Sequence, residues 1–436
     1  MTHNLSIEAP GAPSIWQEAA SGDLAAHPHQ PACQYCGDAL HVTWADLGLQ
    51  PLANDYRADA AAARREPVFP LHARFCTSCY LVQVGSAVPR EAIFSDYAYF
   101  SSYSASWLEH CARYADAMIA RFGLGPSSLV VEIASNDGYL LQYFARAGIP
   151  VLGIDPAENI ARVATAAGIP TEVAFFGTET AAGLIHRGIG ADHISAKNVL
   201  AHVPDIADFV RGVAILLKDQ AVFTVEFPHL LRTMLGLQFD QIYHEHFSYL
   251  SLIAVQRIFE DQGLRIFDVE QLLTHGGSLR VYACHRGAAH AETERVAQLL
   301  HAEKEAGLHR EEAYRGFERK LKRVRRDFLD FIASLRASGK TIIGYGAAAK
   351  ANTFLNYCGA GPETLAYIAD RSPSKTGHFM PGSGIRIAEI SEIERTRPDY
   401  VLILPWNLRQ EIVGELGFIR GWGGRFVTAI PAIEIF

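Results

Sequence analysis

No run of about 18 uninterrupted apolar residues occurs in this 436-residue chain, so no membrane-spanning helix is expected. Base is scarce relative to acid: 39 Lys and Arg stand against 47 Asp and Glu, a formal net charge of -8. That balance argues against a phosphate-backbone partner, which asks for a concentrated basic face, and nucleic acid is not expected. A basic start followed by a compact apolar stretch is also missing. Residues 1–30 are instead rich in Ala, Pro and Gly and read as a flexible leader, which favours a soluble, cytoplasmic chain. No complete G-x-G-x-x-G occurs at the strand-to-helix turns discussed below. Cysteine is sparse after residue 80: Cys111, Cys284 and Cys358 lie singly in apolar surroundings and read as small buried hydrophobes.

The other four cysteines form two pairs, CQYC (Cys33 and Cys36) and CTSC (Cys76 and Cys79). Two C-x2-C knuckles can bring four thiolates tetrahedrally around one zinc. A redox site needs only one such pair, and a disulfide framework needs an oxidising compartment. Four cysteine ligands leave no open coordination position, so the zinc is expected to be structural.

From residue 128 the chain reads SSLVVEIASNDGYLLQYFARAGIPVLGID. An apolar strand, a polar turn, a helix ended by Gly148 and a second strand ending in Asp155 make one βαβ unit of a parallel sheet. In place of phosphate-cradling glycines the turn offers Glu132, Ser135, Asn136, Asp137 and Gly138, a negative and polar set suited to a cation. Asp155 stands where a carboxylate accepts from ribose hydroxyls. Together they favour S-adenosylmethionine, which carries adenosine, a sulfonium and a free amino acid but no phosphate. Further on, HISAKNVLAH, DIADFVRGVAILL and AVFTVEF read as strand, helix and strand, placing Asn198, His202 and Glu226 at strand ends beside that pocket.

The zinc knuckles with DLGLQPLANDY, VEIASNDGYLL, NVLAHVPD, IYHEHFSYLS, THGGSLR, GYGAAAKANTFLNYC and YVLILPWN, in that order, give the chain after the leader a resemblance to a known family. It resembles the sugar-nucleotide C-methyltransferases, which move methyl from S-adenosylmethionine to a 4-keto-deoxysugar, usually at C-3. The resemblance implies a class I methyltransferase Rossmann-like parallel sheet between a small N-terminal zinc-binding lobe and a second, C-terminal Rossmann-like domain. The expected divisions are a zinc-binding domain over 31–90, a methyltransferase domain over 91–285, a helical connector over 286–338 and a nucleotide-sugar-binding lobe over 339–436. Ala134 departs from the glycine usual in many methyltransferases at this turn, which is expected to tighten the approach to the cofactor.

In the family pattern the last histidine of YHEH is the base, which carries onto His246. Glu245 is then expected to bind sugar hydroxyls or orient its neighbours, and Tyr243 and His202 to donate hydrogen bonds to the C-4 oxygen. Tyr97 matches a family position near the reacting centre. His244 is left structural, because neighbours in an extended segment face opposite ways. Metal is not expected at YHEH, whose ligands lack the helical i, i+4 spacing of H-E-x-x-H.

Residues 309–339 read as one long amphipathic helix whose KLKRVRR run is a solvated face. TIIGYGAAAKANTFLNYCG then reads as strand, glycine turn and helix, a phosphate cradle in outline. Lys350 and Lys375 are the expected phosphate contacts, with Asp370 and Arg371 beside them as substrate-binding residues. Two other readings stand: a nucleotide-sugar oxidoreductase or epimerase using NAD at the GYG turn, or a zinc-containing binding protein without catalysis. The sugar, the nucleotide and the choice of monomer or dimer are not legible.

Overall fold

The computed structural model describes residues 31–85, 101–103 and 105–436. Three sheets organise it. The N-terminal lobe has β1 (Val42–Gln50), β2 (Phe69–Phe75) and β3 (Val82–Val84). The central domain follows with β4 (Val130–Ile133), β5 (Val151–Asp155), β6 (Thr171–Val173), β7 (Ala191–Lys197) and β8 (Leu217–Pro228). After β9 (Ser248–Tyr249) come β10 (Leu264–Leu272) and β11 (Ser278–His285). The C-terminal lobe carries β12 (Ile342–Tyr345), β13 (Ile368–Ala369), β14 (Ile387–Ala388), β15 (Tyr400–Ile403), β16 (Arg425–Thr428) and β17 (Glu434–Ile435).

The central sheet runs β10-β11-β8-β7-β4-β5-β6. Strands β4 to β8 pair in parallel, and β11 is antiparallel to both its neighbours. This is the class I methyltransferase arrangement. All four residues of β4 are buried, as a strand covered on both faces requires. The chain leaves β4 toward β5 on one side and β7 lies on the other, so strand order reverses at β4. Ligands of open parallel sheets collect at such a switch point, beyond the carboxyl ends of the strands.

The C-terminal sheet, β14-β13-β12-β15-β16-β17, is parallel except for β17 and has the expected Rossmann-like form. The connecting helix differs from expectation at its start. It spans Phe317–Ala337 and buries Phe317, Leu321, Val324, Phe328, Ile332 and Leu335 at helical spacing. Residues 309–316 form turns ending at Gly316, whose φ of 84° stops a helix from running through it.

One strand crosses the expected domain divisions. β9, two residues past YHEH, pairs with β3 in the N-terminal sheet rather than with the central one. The segment carrying YHEH is therefore held between lobes.

Candidate functional site

The turn after β4 is built from left-handed backbone. Ala134, Asn136 and Gly138 have φ of 56°, 48° and 79°. Ala134, where many methyltransferases carry glycine, thus holds a positive φ, at a conformational cost of about 1–2 kcal/mol. Asp155 pins the turn, accepting from the Asn136 N–H at 2.9 Å and the Ala157 N–H at 2.9 Å. Burial raises its pKa. The Asn136 and Asp137 side chains accept from the backbone of Ser101 and Ser102 at 2.9 and 3.2 Å.

Glu132 is completely buried, and burial holds its carboxyl well above the usual range. Among the described residues, the Ser135 hydroxyl, Asp137 Oδ1 and Asn198 Oδ1 are buried without a hydrogen-bond partner, while Glu132 has the Tyr139 hydroxyl beside it. Orphaned acceptors are costly in a finished core. Gathered at the sheet's switch point, they fit the amino group and sulfonium of S-adenosylmethionine. The residues predicted for the cofactor, Glu132, Ser135, Asn136, Asp137, Gly138, Asp155 and Asn198, all fall at the carboxyl ends of β4, β5 and β7 or in the turns beyond them.

YHEH is a turn, not the extended segment expected, and its His246 N–H bonds the Tyr243 carbonyl at 2.9 Å. The turn still separates the side chains. His244 packs edge-on against Phe69, with ring centroids 5.9 Å apart, while His246 faces His202, with centroids 4.6 Å apart. His246 Nδ1 lies 2.8 Å from the Gln241 carbonyl, which can only accept, so the proton sits on Nδ1. Its Nε2 lone pair then accepts from the Tyr243 hydroxyl at 2.7 Å.

Burial, with His202 and Lys350 nearby, drives the His246 pKa well down, so the ring is neutral at pH 7. His202 donates from Nδ1 to the Glu245 carbonyl at 2.8 Å, and burial lowers its pKa to about 4. Glu245 accepts from Asn54 Nδ2 at 2.7 Å, and burial raises its pKa to about 7. Tyr97 lies outside the described residues.

Several expected contacts are placed differently. Glu226 is not a substrate contact: its side chain is 2% exposed, and Lys197, Arg280 and His110 occupy its oxygens. A buried carboxylate among three partners is a structural ion cluster. Arg371 points outward to Glu411 and Glu415. Asp370 is spent on backbone, accepting from Ala347 N at 2.7 Å and Ser372 N at 2.8 Å, which fixes the glycine turn.

Lys375 donates to the Ala347 carbonyl at 2.8 Å, and burial lowers its pKa. Lys350 lies over Trp406, 5.1 Å from its ring centroid, and donates to Asn407 at 3.3 Å. Its charge reaches Asp240, His246 and His275.

Asn54 and Tyr56, which carry no functional signal of their own in the sequence, join the three lobes. The Tyr56 hydroxyl donates to the Ala347 carbonyl at 2.7 Å while Asn54 holds Glu245. Asp240, whose carboxylate accepts from Trp406 Nε1 at 2.8 Å, and His275 carry none either. The available signal was the motifs themselves: each of these four lies in, or within two residues of, a quoted stretch.

The four knuckle cysteines converge, every sulfur within 4.8 Å of the others and two pairs at 3.5 Å. A tetrahedral ion with Zn–S near 2.3 Å sets S···S at about 3.8 Å, so the cluster fits a metal. Gln83 donates to Cys33 Sγ at 3.0 Å while its own oxygen accepts from Gln34 N at 2.7 Å, a support that orients a thiolate ligand. No helix among the described residues is long and apolar enough to cross a membrane.

Comparison with known proteins matches three families along the chain. They are "Putative zinc binding domain" over 33–94, "Methyltransferase domain" over 107–269 and "C-methyltransferase C-terminal domain" over 273–431. C-methyltransferase NovU of Streptomyces niveus is 36% identical over 403 residues, covering 92% of this chain and 95% of NovU. Ubiquinone biosynthesis O-methyltransferase of Methylobacterium sp. is 33% identical over 108 residues, 23% of this chain and 42% of that one. Among solved structures, magnesium protoporphyrin IX methyltransferase of Synechocystis with bound SAH matches over 41% of this chain and 83% of its own, with 18% identity and TM-score 0.33.

Proposed function

The chain belongs to the C-methyltransferase family that includes NovU, and on that premise we propose that it methylates a nucleotide-linked 4-keto-deoxysugar, at C-3 beside the ketone. S-adenosylmethionine, held by the turn after β4, by Asp155 and by Asn198, supplies an electrophilic methyl group. The chain's own residues make the carbon nucleophile. His246 carries the reading: a neutral imidazole with its tautomer fixed by Gln241 and its Nε2 lone pair held only by the Tyr243 hydroxyl.

The Tyr243 hydroxyl has one hydrogen, and in this structure it goes to His246. Substrate entering against Nε2 displaces that contact. His246 then takes the proton from carbon, and the released Tyr243 O–H turns to the carbonyl oxygen as charge develops there. Glu245, held by Asn54, binds sugar hydroxyls or orients the turn, and His202 lines the same face. Tyr97 belongs to this proposal on the family pattern alone. Lys350 and Lys375, at the junction with the C-terminal lobe, supply positive charge for the diphosphate. We assign zinc to the four-cysteine cluster, in a structural role.

The test is solvent exchange. Nucleotide sugar incubated with enzyme in D2O without S-adenosylmethionine should exchange its C-3 proton, and His246→Asn should slow both exchange and methyl transfer by roughly 10²–10⁴-fold while cofactor still binds. Wild-type-like exchange in the variant would remove His246 from the role of base. Methyl recovered on oxygen would end the carbon-transfer reading.

A further inference from the structure

Among the described residues seven non-glycine residues have positive φ, and four of them, Ala134, Asn136, Asn198 and His275, lie around the cofactor pocket. Two of the four face each other. His275 (φ 54°, ψ 23°) sits in the turn between β10 and β11, and Asn198 (φ 54°) follows β7. Asn198 Nδ2 is 3.1 Å from His275 Nε2. Such backbone is strained and persists only where the surroundings over-determine it.

The surroundings here do so. Gly276 and Gly277 continue the left-handed run at φ 88° and 118°. A Cβ on Gly276 would collide with the Trp406 indole of the C-terminal lobe, and one on Gly277 would come within 2.7 Å of the Arg232 side chain. The His275 ring packs edge-on against Trp107, with centroids 5.6 Å apart.

Hydrogen-bond polarity gives this contact a purpose. An amide nitrogen only donates, so His275 Nε2 accepts and its proton is on Nδ1. The Asn198 amide is thereby fixed with Oδ1 turned away from His275, and that oxygen is buried without a partner among the described residues. We propose that His275 is a positioning residue for the methyl donor: it holds the Asn198 amide so that Oδ1 serves as an acceptor for the cationic amino-acid end of S-adenosylmethionine. This rests on the reading of Asn198 as a cofactor contact.

Burial lowers the His275 pKa to about 4, which keeps Nε2 an acceptor at neutral pH. A cation at His275 would repel the amide's donors and turn Oδ1 inward.

The experiment is a double-mutant cycle read by calorimetric binding of S-adenosylhomocysteine, with Tm followed in parallel. Glycine adopts this backbone without strain, which offsets the lost packing on Trp107, so His275→Gly should leave Tm within a few degrees of wild type, yet weaken binding about tenfold. Asn198→Ala should weaken it about as much, and the double variant no further. His275→Asn, which tolerates left-handed backbone and offers an acceptor oxygen, should stay within about twofold of wild type.

Wild-type affinity in His275→Gly, or losses that multiply in the double variant, would overturn the proposal. If His275→Gly fails to fold, His275→Leu, which fills the space without an acceptor, carries the same comparison. A wild-type chain that binds no S-adenosylhomocysteine would overturn the cofactor reading itself, a result distinct from either.

Discussion

At the scale of the residue, the chemistry turns on groups whose charge is set by burial. Glu245 is 5% exposed, and among the described residues its one side-chain donor is the uncharged amide of Asn54. Desolvation therefore outweighs the hydrogen bond, and its pKa rises to about 7 from an ordinary 4.5. Between those values the folded chain holds a proton that the unfolded chain releases. Stability from this group is full below pH 4.5 and is lost as pH rises toward 7. Glu245→Gln keeps an acceptor for Asn54 and removes the titration. The difference in unfolding free energy between variant and wild type should grow across that window, on the order of 3 kcal/mol in the variant's favour at its upper end. Urea unfolding at pH 5 and pH 8 measures it; a gap that does not change with pH would show that Glu245 keeps an ordinary pKa.

At the scale of the element, the cysteine knuckles and the YHEH turn are parts of one construction. Gln83, which donates to Cys33, pairs in register with Ser248 of β9, and Val84 N bonds the Phe247 carbonyl at 3.1 Å. Phe247 follows His246 directly. Cys36→Ser should therefore abolish stoichiometric zinc, lower Tm by roughly 5–10 °C, and cut turnover although no cysteine touches substrate. Metal analysis, a thermal melt and a methyl-transfer assay report the three separately, and full turnover in a zinc-free variant would break the link.

The knuckles themselves were legible because a C-x2-C pair is a local signal, and so were β4, β5 and the turn between them. The β3–β9 pairing was not: two short strands about 165 residues apart carry no local mark of their partnership, and β9 is only two residues long. Glu226 misled for a related reason. A strand-end acid facing a ligand and one facing Lys197 and Arg280 look alike until the sheet is assembled.

At the scale of the whole molecule, the expected succession of lobes describes the backbone but not the core. One apolar cluster joins Trp44 and Phe75 of the N-terminal sheet, Phe317 and Phe328 of the connecting helix, and Phe354 and Leu402 of the C-terminal lobe. Trp44 stacks on Phe317 at 5.1 Å, and Trp406 packs against the same cluster while bonding Asp240 beside the YHEH turn. Thr353 adds a bond to the Ile242 carbonyl at 2.9 Å, one residue before YHEH. Chains of several domains usually unfold in separable steps, because inter-domain contacts are smaller and more polar than cores. Here the shared cluster predicts the reverse for the two outer lobes. With the other tryptophans replaced by phenylalanine, fluorescence from Trp44 alone and from Trp406 alone should give the same urea midpoint, although about 360 residues separate them in sequence. Two midpoints would mean that the outer lobes melt independently, and the YHEH turn between them would then lose the support of one lobe before the other opens.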